Sequence, residues 1–294
     1  YCIPFEGRNG LGAWAMWNPE IERNLLEIED FFAPAVDHVL KKNGGINVRN
    51  ILAKGMLMGD ESHTRQAACG NMLVSEIVPM LLSDEDLDIP TIKRVTEMFV
   101  GNERWFHPLG MSCSLASMRC IKGKEYCSIV TSIAQNGVET GIKVAGLGEQ
   151  WFKTSAPRFV GTLFSTQWTL DDAVPYMGDS TATESYGMGA FSAAAAPTVL
   201  RLRNGGWREA KAQSEELRCI CAGINNNFPI PLLDFQGPGL GIDIFKVVET
   251  GITPLCHGGI VNKTGGQIGA GAARYSADHY ISAAYAFLDK YGNN

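Results

Sequence analysis

The sequence of 294 residues has no run of lysine or arginine, and its formal net charge is −6. Nucleic acid and anionic membrane surfaces are therefore poor partners. It also lacks an uninterrupted apolar stretch of the roughly 20 residues that a bilayer span requires. The run AFSAAAAPTVL is short and contains Pro197. The eight cysteines, at positions 2, 69, 113, 120, 127, 219, 221 and 256, form no CxxC pair. Cys219 and Cys221 are too close for an ordinary disulfide or a zinc knuckle, so free thiols in a reducing compartment are expected. The opening YCIPFEGRNG has neither a basic nor an apolar leader region and starts at Tyr1. The sequence thus reads as a soluble, cytoplasmic chain and as one piece of a longer product.

Glycine is in excess, with 33 residues against an average share of about 7%. Most of the excess follows Gly137. Before it the chain reads helical. Asn18-Pro19 is an N-cap followed by a proline at the first helical position, and Ile21, Leu25, Ile28 and Phe32 recur at helical spacing until Pro34. A long helical run is expected from Val48 to Leu82, with breaks near Gly59 or Gly70. Shorter helices follow over residues 91–100 and 109–121. After this, CSIVTSIA and VETGIKVAG flank Asn136-Gly137, a strong hairpin signal, and RFVGTLF reads as another strand. Thr181 to Glu184 has capping-box form ahead of the small-residue helix GMGAFSAAAA. Helices are expected again over 207–221 and 277–290, with FPIPLLDF extended. A helical part followed by a mixed part argues an α+β fold and not a regular βαβ array. The divisions are an N-terminal extension over 1–17, a small helical subdomain over 18–123 and a mixed, glycine-rich domain over 124–294.

Five constellations could carry chemistry. In MGDESHTR, on a helix, Asp60 and His63 lie three apart and Glu61 and Arg65 four apart, so each pair shares a face. Asp60 would orient the His63 ring for acid–base work; the bland alternative is a solvated pair contributing a few tenths of a kcal/mol. GDSTATESYGMG places Asp179, Ser180, Thr183 and Glu184 at a helix start, where backbone N–H groups favour anions; an ordinary acidic N-cap turn explains it equally well. LDFQGPGLGIDIFKVVETG offers Asp243 and Lys246 beside a glycine turn, but has neither a Walker A lysine nor the dinucleotide spacing. KTGGQIGAG offers Lys263 and Gln267 next to flexible backbone. NGVETGIKVAGLGEQWF reads as structural. His257 beside Cys256 is a weak nucleophile pair, because adjacent residues seldom aim at one target. His38, His107 and His279 have no acidic or cysteine partner at telling spacing.

These segments, in this order and followed by AAAAP after GDSTATES, resemble the YlbE-like (AllG) family from about Leu52 onward. That family includes a subunit of oxamate carbamoyltransferase. The resemblance implies an α+β protein in a multi-subunit complex of anaerobic allantoin breakdown, in which oxalurate and phosphate give oxamate and carbamoyl phosphate, with magnesium as the ion. It assigns no catalytic residue. His257 and Asn262 depart from the family pattern, where a small polar residue and a histidine are expected, which loosens the implied substrate more than the family. On this reading His63, with Asp60, Glu61 and Arg65, is the acid–base group. Ser180, Thr183, Asp243, Lys246, Lys263 and Gln267 bind substrate, and Asp179 and Glu184 hold Mg²⁺. Other subunits and an oligomeric state are the expected partners. The alternatives are a non-catalytic structural or regulatory subunit and an enzyme acting on another ureide or amide.

Overall fold

The computed structural model describes residues 16–178 and 180–292. Six helices come first: α1 Pro19–Glu27, α2 Ala33–Lys42, α3 Val48–Leu57, α4 Ala67–Leu82, α5 Ile89–Val100 and α6 His107–Arg119. Proline stands in the first turn of α1, α2, α5 and α6, where its missing N–H is no loss. Asn18 caps α1 with its side-chain oxygen, as its position suggests. Pro34 does not end the helical run. A π-turn over Ile28–Phe32 absorbs the register change and carries the chain straight into α2.

The strands then begin. β1 Val130–Asn136 and β2 Glu139–Val144 form the hairpin, turning at Gly137 with φ +84°. β3 Phe152–Ser155, β4 Val160–Leu163 and the short β5 Met177–Gly178 follow. After a chain of tight turns come α7 Trp207–Arg218, β6 Cys221–Ile224, β7 Gly239–Ile242, α8 Ile244–Thr250, β8 Leu255–Val261, β9 Gln267–Arg274 and α9 Asp278–Tyr291. The strands form antiparallel sheets in the orders β3-β2-β1-β5, β4-β9-β8 and β6-β7. Helices followed by antiparallel sheets make this an α+β fold.

Two large apolar cores and a smaller one around Val199, Leu200 and Ala210 lie among the described residues. The first large core joins Val130, Ile133, Ile142, Ile260 and Ile268 of the strands to Tyr280, Ala283 and Phe287 of α9. The other fills the helical part with Phe32, Ile51, Leu52, Leu73, Phe99 and Phe106, but continues into Met188, Phe228 and Ile230 from the second half. The helical part therefore completes its core with residues that arrive late in the chain. Among the described residues, no helix is long and apolar enough to cross a membrane.

Three local expectations give way. The run from Val48 to Leu82 is interrupted from Met58 to Gln66, at Gly59 (φ +85°) and not at Gly70, which is buried inside α4. The stretch after Ser180 is not a capped α-helix but 3₁₀ turns over Ser180–Ala182, Glu184–Tyr186 and Gly189–Ala195, all buried. Left-handed glycines at 187 and 189 stop helix propagation there. FPIPLLDF curls into a short turn, with Asp234 and Phe235 at positive φ.

Candidate functional site

MGDESHTR is a folded loop between α3 and α4, and its acids and histidine are almost completely buried. It holds its shape by turning its carboxylates on its own backbone. Asp60 accepts from the Ser62 N–H at 2.8 Å and from the Cys69 N–H at 3.0 Å, where α4 starts. Glu61 accepts from the N–H groups of His63 (2.6 Å), Thr64 (2.8 Å) and Arg65 (3.1 Å). Ser62 sits between them at φ +59°, a strained conformation for a non-glycine residue. Burial pushes both carboxyls up, Glu61 to about 7, although the Cys69 and Ser62 N–H groups at Asp60 and His63 at Glu61 oppose the shift. The shared helix faces inferred for Asp60 with His63 and for Glu61 with Arg65 do not exist, because no helix runs through them. The Arg65 side chain instead donates to Thr198 at 3.0 Å.

The acid that orients His63 comes from the other half of the chain. Nδ1 of His63 lies 2.8 Å from Glu184 Oε1, and Nε2 lies 2.7 Å from Ser180 Oγ. Glu184 also accepts from Ala190 N–H (2.7 Å) and His257 N–H (3.3 Å). The Glu184 oxygens thus face donors, so Nδ1 carries the ring hydrogen. Nε2 is then the acceptor for the Ser180 hydroxyl. Gly189 is required beneath this carboxylate, since a Cβ there would lie 2.3 Å from Glu184 Oε1. The Gly189 N–H also ties the turn to the Glu61 carbonyl at 2.8 Å.

His63 and Ser180 open on a cavity of about 110 Å³, whose walls include Arg104, His107, Tyr176 and Gln267. The His107 ring lies 5.6 Å from that of His63. Gly258 and Gly259 of β8 form the floor, where a Cβ on Gly258 would meet Phe159 and the Tyr176 hydroxyl at 3.0 and 3.1 Å. Cys256 is fully buried beside this arrangement, 3.9 Å from His63 Nδ1 and 3.1 Å from the Tyr176 hydroxyl. Burial pushes its thiol well up, and the Glu184 charge adds to that. Its neighbour His257 points elsewhere, with Nε2 3.0 Å from the Gln213 amide, and burial lowers its ring to about 3.

Of the residues singled out in the sequence, His63, Ser180, Glu184 and Gln267 converge here. Thr183 is fully buried and donates to the Ser180 carbonyl. Asp243 caps α8, Lys246 bonds the Cys221 carbonyl, and the Lys263 backbone bonds that of Asp172. Asp243, Lys246 and Lys263 do not line the cavity. Asp179 lies outside the described residues. Arg104, His107 and Tyr176 emerge only from the fold.

Magnesium does not fit at Glu184. Among the described residues, the side chains gathered there are the His63 nitrogen and the Cys256 sulfur, and the carboxylate oxygens already accept N–H groups. Mg²⁺ requires an octahedron of oxygens.

Fold and site together define an α+β protein in which a hydrogen-bonded serine, histidine and glutamate border a small cavity that Arg104 also lines. The sequence pattern of the family described as oxamate carbamoyltransferase subunit AllG matches residues 1–180. The chain is 35% identical over 296 residues to the oxamate carbamoyltransferase subunit AllG of Escherichia coli K12, covering 99% of this chain and 70% of that protein. It is 33% identical over 267 residues to YahG, an uncharacterised protein of the same organism, covering 90% of this chain and 56% of that one. A crystal structure of a conserved protein of unknown function from Enterococcus faecalis V583 superimposes with a TM-score of 0.88 at 34% identity, over 92% of this chain and 65% of that one. The chain belongs to the AllG family of oxamate carbamoyltransferase subunits.

Proposed function

We propose that this chain contributes the acid–base centre of a carbamoyl transfer from oxalurate to phosphate, giving oxamate and carbamoyl phosphate, inside a cytoplasmic complex with other subunits. The observation that carries this reading is His63, held by Glu184 on one nitrogen and facing the cavity through Ser180 on the other. Transfer of a carbamoyl group needs an anion held near the carbonyl carbon and a proton for the departing nitrogen. His63 Nε2 takes up the proton released by the attacking group and passes it to that nitrogen. Arg104 on the cavity wall holds a carboxylate or phosphate, with His107 as a second donor. Lys263, expected to bind substrate, and Arg65, expected in the acid–base group, do not line the cavity. A cavity of about 110 Å³ suits a ligand of few heavy atoms, far below the roughly 300–1,000 Å³ of sites for drug-sized ligands.

In the assembled complex, His63→Ala lowers turnover about 10²–10⁴-fold while leaving the circular dichroism spectrum unchanged. Near-normal turnover removes His63 from the mechanism. The chain spans 56–70% of the length of these relatives. The naming of the Escherichia coli relative as a subunit supports a second reading as a non-catalytic subunit whose chemistry lies elsewhere in the complex. Calorimetric titration of the chain with oxalurate, oxamate, phosphate and carbamoyl phosphate separates the two. Binding of none, alongside an active complex, favours the second.

A further inference from the structure

Two nucleophile types stand beside His63, and only one can meet a ligand. Cys256 is sealed in the core and does not line the cavity. Ser180 lines it, with its Oγ 2.7 Å from the ring nitrogen that accepts, while Glu184 holds the other nitrogen at 2.8 Å. That order of hydroxyl, imidazole and carboxylate converts a weak nucleophile into an effective one. The local fold aims the serine. β5 ends at Gly178, whose φ of +132° is open to glycine alone, and the next turn begins at Ser180. The Ser180 carbonyl is fixed by both the N–H (3.0 Å) and the hydroxyl (2.7 Å) of Thr183. A serine needed only to satisfy a buried imidazole has no need to border the cavity that Arg104 and His107 also face.

We propose that Ser180 is a covalent nucleophile that carries the carbamoyl group between two half-reactions; this rests on the carbamoyl-transfer reading above. In the first, a bond forms from Ser180 Oγ to the ureido carbonyl carbon of oxalurate as the hydroxyl proton passes to His63 Nε2. The bond from that carbon to the oxalyl amide nitrogen breaks. The nitrogen takes the proton from Nε2, and oxamate leaves. In the second, an oxygen of hydrogen phosphate attacks the carbonyl carbon of the carbamoyl-serine while its proton passes to Nε2. The bond to Oγ breaks, Ser180 regains the proton, and carbamoyl phosphate leaves. Atoms and charge balance with no oxidant or further reactant. Glu184 acts as a positioning residue throughout.

The test uses the complete enzyme with its partner subunits. Given unlabelled oxalurate and isotope-labelled oxamate without phosphate, the enzyme is expected to move label into oxalurate. Mass spectrometry after acid quench is expected to show one carbamoyl group on the peptide containing Ser180. Ser180→Ala is expected to abolish both signals and to lower phosphate-dependent turnover by about 10³-fold or more, with an unchanged melting temperature. Ser180→Cys, which keeps a nucleophile, is expected to accumulate the group as a thiocarbamate. Turnover with no exchange in the absence of phosphate means direct transfer and overturns the proposal while leaving the carbamoyl reading intact. Retained turnover in Ser180→Ala also overturns it. A fluorophosphonate that labels Ser180 in an enzyme inert to oxalurate overturns the carbamoyl cargo and leaves the nucleophile standing.

Discussion

Two histidine–carboxylate clusters lie among the described residues, and water separates their properties. On the surface, Nε2 of His38 lies 3.3 Å from Asp84 and 3.7 Å from Asp86, with Lys42 reaching both acids at 3.2 and 2.8 Å. Burial of Asp84 works against its ionised form, but the Asp86 N–H and the Lys42 and His38 partners hold its carboxyl below the usual range. Asp86 and Asp84 in turn raise Lys42. His38, Lys42 and Asp86 keep access to solvent around the buried Asp84. In the inner cluster no lysine or arginine is paired with Asp60, Glu61 or Glu184 among the ion pairs of the described residues; backbone N–H groups and the His63 ring take that place. Desolvation then dominates and drives Glu61 up to about 7. The same residue types give a screened ion network in one place and a fixed relay in the other.

The sharpest way to break the comparison is Gly189→Ala. Its Cβ would collide with the Glu184 carboxylate at 2.3 Å, and φ is +59°. Glu184 must move off His63, so both stability and turnover are expected to fall. The stability loss is about 2 kcal/mol or more by urea denaturation, from the left-handed backbone and the clash together. A variant with native stability and turnover shows that the carboxylate is not held as described.

A second test uses pH. The ordinary value for Glu61 is 4.5 and the folded value is about 7, so between them the folded chain binds a proton that the unfolded chain has released. Stability is therefore highest below this window, falls as pH rises through it and levels off above about 7. The loss is on the order of 3 kcal/mol by the same linkage. Urea midpoints measured from pH 4.5 to 8 should show this slope in the native chain and a flatter one in Glu61→Gln. Parallel slopes would assign the titration to another group.

The smallest effect belongs to the surface cluster. His38→Ala should leave turnover unchanged and shift the denaturation midpoint only marginally, less still in high salt, because exposed pairs are screened. A large, salt-independent loss would show that this cluster is more than a solvated network.

Much of the secondary structure was legible because its signals are local. Asn18-Pro19, the Asn136-Gly137 turn and the alternation around it all act within a few residues. The acid–histidine cluster was legible as a place but not as a shape. Asp60, three residues before His63, looked like its partner, whereas backbone N–H groups claim Asp60 and the partner is 121 residues further on. The turns after Ser180 misled in the same way. Thr181 and Glu184 satisfy the pattern of a capping box, but Glu184 gains more from the buried imidazole and the Ala190 N–H than from its own turn. Arg104, His107 and Tyr176 gave no pattern at all, since their common cavity comes from segments far apart in the chain.

The amino-acid order alone determined the α+β class, the capped start of α1, the hairpin and the glycine-rich second half, since capping, periodicity and turn geometry are properties of neighbouring residues. Which carboxylate meets the imidazole, which hydroxyl meets its other nitrogen and which cation faces the cavity were decided only on folding. Those contacts need buried surfaces from both halves to close, and the loss of water there is what makes each one strong.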